Sequence, residues 1–91
     1  MGNEQRMIQF AGNVQGVGFR FTACRTAGRY DVTGTVRNCS DGSVECVVEG
    51  EQREIDAFLG ELAEAMSGYI DGQISQTADY SGKYSSFSVA F

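Results

Sequence analysis

The run Gly12-Asn13-Val14-Gln15-Gly16-Val17-Gly18-Phe19-Arg20 constrains this chain more than any other stretch. Three glycines beside an arginine, at the start of a predicted helix, make a ready cradle for a small anion. Without a Cβ, glycine takes φ > 0 at little cost and lets backbone N–H groups converge on a ligand at close range. The unpaired N–H groups of the following helix's first turn add partial positive charge. Arg20 adds a full charge and a fork of donors that matches two phosphate oxygens. The inert alternative is a glycine-rich strand-to-helix turn that happens to end in an exposed arginine. Nucleotide-binding loops do not fit. A Walker loop beginning at Gly12 would need its second glycine where Val17 stands, and a dinucleotide fingerprint beginning at Gly16 would need its third where Phe21 stands. The cradle is sized for one phosphoryl group.

Charge is distributed in keeping with that reading. Residues 1–40 hold five arginines against two acids, leaving +3, while residues 41–91 hold two bases against ten acids, leaving −8. The positive field therefore lies in the half that carries the glycine run, where a small anion would be drawn. A net charge of −5 and a pI near 4.5 argue against nucleic acid, whose phosphates demand a basic face. At 91 residues the chain is expected to form one domain spanning 1–91. Its first six residues offer no apolar signal segment, and no later stretch is long and uncharged enough to span a bilayer, so the expected location is the cytoplasm.

Several chemistries drop out on residue type alone. There is no histidine, which removes Ser-His-Asp triads, phosphohistidine intermediates and His-based metal sites. Cys24, Cys39 and Cys46 are odd in number and contain no C-x-x-C pair, so neither a disulfide framework nor a zinc site is indicated. A phosphatase cysteine with an arginine six residues later is also missing, since those positions are Tyr30, Glu45 and Gln52. The cysteines read as small core or surface residues.

Hydrophobic periodicity predicts alternating strands and helices. Arg6 to Ala11 reads as a strand with Ile8 and Phe10 on one face, and Phe19 to about Arg29 as a helix with apolar residues at three- and four-residue steps. Val32 to Asn38 and Val44 to Glu49 read as strands joined by the turn residues Ser40-Asp41-Gly42-Ser43. Glu51 to Met66 carries the clearest amphipathic pattern, through Ile55, Phe58, Leu59, Leu62 and Met66, with Gly68 expected to end the helix. Gln73 to Tyr80 and Phe87 to Phe91 are weaker strand candidates. The order is that of an α+β, ferredoxin-like βαββαβ domain: an antiparallel sheet covered on one face by two helices. In it the first and third strands are neighbours, and the end of the second, near Asn38, approaches the start of the first helix.

The uninterrupted V-Q-G-V-G-F-R at Val14 to Arg20, together with V-R-N-x-x-D-G-x-V at Val36 to Val44, closely resembles the acylphosphatase family. Order and spacing agree, and with Glu49-Gly50 and the terminal Tyr84 to Val89 the resemblance covers nearly the whole chain. It implies hydrolysis of the carboxyl–phosphate bond of acyl phosphates without metal or cofactor. Arg20 would bind the phosphoryl oxygens, Asn38 would orient the attacking water, and the backbone of Gln15, Gly16, Val17, Gly18 and Phe19 would complete the cradle. The implied partner is a small-molecule acyl phosphate, met by a monomer, with no role for nucleic acid or membrane.

The chemistry of these residues suits that reaction. An acyl phosphate expels a carboxylate whose conjugate acid has a pKa of roughly 4, so no general acid is needed. Asn38 is neutral and no strong base, which leaves it the task of holding water in line. Many relatives carry a basic residue where this chain has Asn13 and a large aromatic where it has Thr35, so the mouth of the site is expected to differ. Two other readings were open at this level. One is a non-catalytic phosphate- or anion-binding regulatory module. The other is an RNA-binding domain of like topology, which the acidic pI and the lack of aromatics in Val44 to Glu49 disfavour.

Overall fold

The computed structural model describes residues 2–91. In chain order its elements are β1 (Asn3–Gly12), α1 (Phe19–Ala27), β2 (Thr33–Asn38), β3 (Val44–Glu51), α2 (Gln52–Ala65), β4 (Ile70–Asp79) and β5 (Phe87–Val89). One five-stranded sheet runs β4-β1-β3-β2-β5. Its β4-β1-β3-β2 part is the antiparallel sheet that the sequence implies, with Ile8 opposite Cys46 and Cys46 opposite Val36. The added β5 is parallel to β2, with Val36 opposite Val89, so the complete sheet is mixed. The cause is the chain's route: it leaves β4 on one edge, crosses to the other, and enters beside β2 in the same direction.

Strand alternation decides which side chains meet the helices. In β1, Ile8 and Phe10 are 0% and 1% exposed, and in β3, Val44, Cys46 and Val48 are wholly buried. These line the helical face, against Phe19, Ala23 and Ala27 of α1 and Ile55, Phe58 and Leu62 of α2. Side chains at three- and four-residue steps place each helix's apolar stripe on that face. The Phe10 and Phe19 rings pack tilted at 51° with centroids 5.0 Å apart, and those of Phe58 and Phe87 at 60° and 5.3 Å. Each such ring removed from water is worth roughly 1.5–3 kcal/mol.

Several boundaries depart from the periodicity, β1 starting at Asn3 ahead of Arg6 and β5 ending at Val89 ahead of Phe91, and those around the α2–β4 turn have a visible cause. Helix α2 ends at Ala65 with Met66 as its cap, whose N–H donates to the Leu62 carbonyl at 3.0 Å. Gly68 does not end it and takes no left-handed conformation, because the Met66 carbonyl accepts the N–H groups of Tyr69 (2.9 Å) and Ile70 (3.3 Å), turning the chain directly into β4. Strand β4 starts at Ile70, ahead of the expected Gln73, and all its residues but Ile70 are exposed. An edge strand held by main-chain bonds to β1 needs no apolar alternation.

The crossing segment between β4 and β5 is tied down by one buried carboxylate. Glu49 is 1% exposed on the sheet face away from the helices. Its Oε2 accepts from Gln5 Nε2 (2.8 Å), from the Ser81 N–H (2.9 Å) and from the Ser81 hydroxyl (2.7 Å), and its Oε1 accepts from the Gly82 N–H at 3.1 Å. Burial alone would raise the carboxyl's pKa, but these donors outweigh it and hold it below the ordinary 4.5. Since the folded-state pKa is depressed, the stabilisation is fully present above about pH 4.5 and is lost as pH falls through the lower folded value. Glu49→Ala is expected to cost about 2–3 kcal/mol at neutral pH in urea denaturation. It should also flatten the fall in melting temperature below pH 4.5 seen for the unsubstituted protein; equal acid slopes for the two would refute the assignment.

Candidate active site

The loop between β1 and α1 is polar at its backbone and apolar at its anchors. Val14, in its middle, is 0% exposed, and the Phe10–Phe19 ring pair joins the strand before it to the helix after it. Between these anchors Gly16 and Gly18 lie at φ 76° and 80°. A Cβ built on either meets nothing within 4 Å, so glycine is demanded there by backbone conformation and not by crowding. Gly18 is the N-cap of α1, with no side chain capping it. The first bond from the helix to the loop is the Thr22 N–H to the Gly18 carbonyl, at 2.9 Å. Among the described residues no protein acceptor takes the N–H groups of Gly16 to Arg20. A run of free donors at a helix N-terminus is an anion site in waiting.

Gln15 locks this loop to the β2–β3 hairpin. Its side-chain Nε2 donates to the Cys39 carbonyl at 2.8 Å and to the Ser43 carbonyl at 2.9 Å. Within the hairpin the Cys39 N–H donates to the Ser43 carbonyl and the Gly42 N–H to the Cys39 carbonyl. The Asp41 carboxylate accepts from the Ser43 hydroxyl (2.6 Å) and N–H (2.9 Å), bonds that lower its pKa. Asn38 closes β2 immediately before this turn, so the bridge from Gln15 fixes Asn38 relative to the glycine loop.

Loop and strand end meet at a cavity of ≈ 430 Å³ lined by Gly16, Gly18, Phe19, Arg20 and Asn38, together with Val14 and four residues outside both motifs: Phe21, Cys24, Val89 and Phe91. Five of the seven site residues inferred from sequence thus share one cavity. Gln15 and Val17 are not in its wall; Val17 packs against the core, and Gln15 is committed to the hairpin. Arg20 is half-buried on the first turn of α1 and, among the described residues, has neither ion pair nor hydrogen bond. By contrast Arg6 pairs with Glu4 and Asp56, Arg29 with Glu61, and Arg37 with Glu45 across β2 and β3. Arg37 is thereby partly neutralised. The positive field of the first 40 residues is concentrated on Arg20 and the exposed Arg25.

Among the described residues no carboxylate side chain lines the cavity. Burial pushes the Cys24 thiol up, so it stands there as a neutral, apolar group and not as a thiolate. Cys46 is wholly buried in β3, Cys39 is half-buried after Asn38, and all three cysteines are free thiols. Among the described residues no three His, Cys, Asp or Glu side chains are grouped to hold a metal ion, and no helix is long and apolar enough to cross a membrane. Phe21, Cys24, Val89 and Phe91 were missed by sequence reasoning. Cys24 could have been found from its i+4 spacing after Arg20; nothing in the sequence places Phe21, Val89 or Phe91 at this cavity.

Known proteins share both the sequence pattern and the architecture. The profile of the family described as Acylphosphatase matches residues 6–89. An acylphosphatase of Clostridium acetobutylicum is 46% identical over 59 residues, a match covering 65% of each chain. One of Lactobacillus gasseri is 35% identical over 86 residues, covering 92% of this chain and 94% of its own. The crystal structure of acylphosphatase from Bacillus subtilis superposes with a TM-score of 0.86 at 25% identity, over 97% of this chain and 99% of that one. With the glycine loop, the unpaired arginine and the asparagine brought to one cavity, and with the family profile matched over residues 6–89, this chain belongs to the acylphosphatase family.

Proposed function

We propose that this chain, as a single domain and a monomer in the cytoplasm, hydrolyses the carboxyl–phosphate bond of small acyl phosphates without a metal ion and without contact to nucleic acid. The observation that carries the reading is the convergence of unpaired N–H groups, an unpaired guanidinium and a neutral amide on one cavity whose described lining holds no carboxylate side chain. The acidic pI, near 4.5, supports the absence of a nucleic-acid partner.

In this reading the phosphoryl oxygens lie on the backbone N–H groups from Gln15 to Phe19 and on the Arg20 guanidinium. Two charges about 4 Å apart at an effective dielectric near 20 attract by on the order of 4 kcal/mol, enough to organise the dianion. Asn38 holds a water in line with the bond that breaks. Water oxygen bonds to phosphorus as the phosphorus–oxygen bond to the acyl group breaks, and the carboxylate departs with that electron pair. The charge that spreads over the equatorial oxygens meets donors already in place, so stabilisation is by position and electrostatics. The described cavity wall offers no carboxylate or histidine side chain as base, and its one thiol is held protonated. The water's proton therefore passes to a phosphoryl oxygen, leaving inorganic phosphate and a carboxylate.

Benzoyl phosphate hydrolysis in the presence of a metal chelator tests the reading directly; phosphate binding without turnover would replace it with an anion-binding module. Arg20→Ala and Arg20→Lys are both expected to lower kcat/KM by about a hundredfold or more, because lysine loses the bidentate geometry. Full activity in Arg20→Lys would refute the role. Asn38→Ala should lower kcat by about a hundredfold while the inhibition constant of inorganic phosphate changes little. If phosphate affinity falls in step, Asn38 is a binding residue instead. Gln15→Ala removes two donors without orphaning either carbonyl, since Cys39 and Ser43 each keep a backbone partner. It should lower kcat about tenfold at nearly unchanged phosphate affinity, through loss of register between loop and hairpin.

A further inference from the structure

A second cavity shares no residue with the first. Of ≈ 480 Å³, it is bounded by the end of β1, the β2–β3 hairpin and the start of β4. Gln9 and Ala11 belong to its wall, and they alternate along β1 with the helix-facing Ile8 and Phe10, so the hollow opens on the sheet face away from the helices. It exists in part because Gly72 has no side chain. Gly72 stands opposite Ala11 in β4, its φ is not positive, and a Cβ built on it meets nothing within 4 Å. Neither conformation nor crowding demands glycine there, and in a strand it forfeits packing and backbone order. By contrast, a Cβ on Gly12 would collide with the Tyr69 carbonyl oxygen, and Gly42 turns the hairpin at φ 93°. The bare Gly72 backbone serves the hollow and not the fold.

Hydrogen bonding around the hollow leaves acceptors free and no donor. The Ser43 hydroxyl donates to Asp41 Oδ1 at 2.6 Å, so its oxygen is left to accept, and Gln9 Nε2 donates to it at 2.9 Å. That fixes the Gln9 amide with Oε1 turned the other way, and among the described residues no donor meets this oxygen. Asp41 Oδ1 also accepts the Ser43 N–H, whereas Oδ2 has only a long contact, 3.4 Å, with Gln9 Nε2. Glu45, opposite Gln9 on β3, is engaged by Arg37, and among the described residues no lysine or arginine lines the hollow. Two free acceptor oxygens, one of them charged, beside the apolar and 67% exposed Ile74 suit a cationic nitrogen on an aliphatic stem. The volume is that of a small-molecule site, typically roughly 300–1,000 Å³, and exceeds what a bare ion needs.

We propose that this hollow is a second binding site, separate from the catalytic cavity, for a small organic cation: an alkylguanidinium or alkylammonium held by Asp41 and the Gln9 side-chain carbonyl, its stem against Ile74. The inference does not rest on the acylphosphatase reading. The test is a titration of the full chain with agmatine at low ionic strength, followed by backbone amide chemical shifts in NMR. The signals of Gly12, Gly42, Ser43 and Gly72 are expected to move and to saturate with a dissociation constant of about 1 mM or tighter, while those of Gly16 and Gly18 stay in place. Asp41→Asn, which keeps an acceptor for Ser43 but removes the charge, should weaken binding about tenfold. Gly72→Val fills the hollow at a strand position with room for the side chain, and should weaken binding as much. Shifts that fail to saturate by about 20 mM overturn the proposal, as does saturation centred on Gly16 to Arg20. Binding that survives both substitutions within about twofold overturns it as well, since the cation would then be following the net charge of −5 and not this hollow. Should Gly72→Val fail to fold, the shift map and Asp41→Asn decide by the same criteria.

Discussion

The site depends on keeping a run of backbone donors unpaired in a folded protein, and apolar anchoring does this. Free N–H groups would ordinarily be drawn into a helix, a turn or a neighbouring carbonyl, because an unsatisfied donor is costly once shielded from water. Here Val14 is sunk in the core and Phe10 is packed on Phe19, so the loop between them has little freedom to collapse. The positive φ of Gly16 and Gly18 then turns the donors outward, where solvent or an anion can reach them. The proposed recognition surface is main chain, while the force that holds it open is hydrophobic.

The other charges of the molecule follow from the same economy. Arg6, Arg29 and Arg37 are engaged by acids from neighbouring elements, and Tyr30 adds its hydroxyl to Glu61 at 2.7 Å. These surface pairs contribute little stability individually. Their larger effect is to quench competing positive charge, so that Arg20 is left as the cation at the cavity. Gln15 performs the complementary mechanical task. By donating to two carbonyls of the hairpin it makes the positions of Arg20 and Asn38, which lie on different elements, mutually dependent.

Much of this was legible in the sequence because it is written in local patterns. The two motifs locate Arg20 and Asn38, and the apolar spacing of Ile55, Phe58 and Leu62 locates α2. What escaped is set by non-local geometry. Phe21 reads as an ordinary helix position until the fold brings Val89 and Phe91 alongside it. Glu49 reads as the outward residue of an alternating strand, and only the crossing of Ser81 and Gly82 buries it. The parallel seating of β5 and the early start of β4 depend on main-chain pairing to strands far away in sequence, which side-chain periodicity does not encode. Gly68 misled for the opposite reason: a local stop signal was overridden by the turn that the Met66 carbonyl closes.

The pairing pattern of β1 also has a kinetic side. Strand β1 has no partner until β3 exists, with Asn3 opposite Glu51, and its other edge stays unzipped until β4 appears, with Glu4 opposite Asp79. Both closures join residues far apart in sequence, and their entropy must be met before any ladder bond rewards it. During synthesis the cradle would therefore be among the last features to acquire its shape, since the strand leading into it is stitched on both sides by late-arriving sequence.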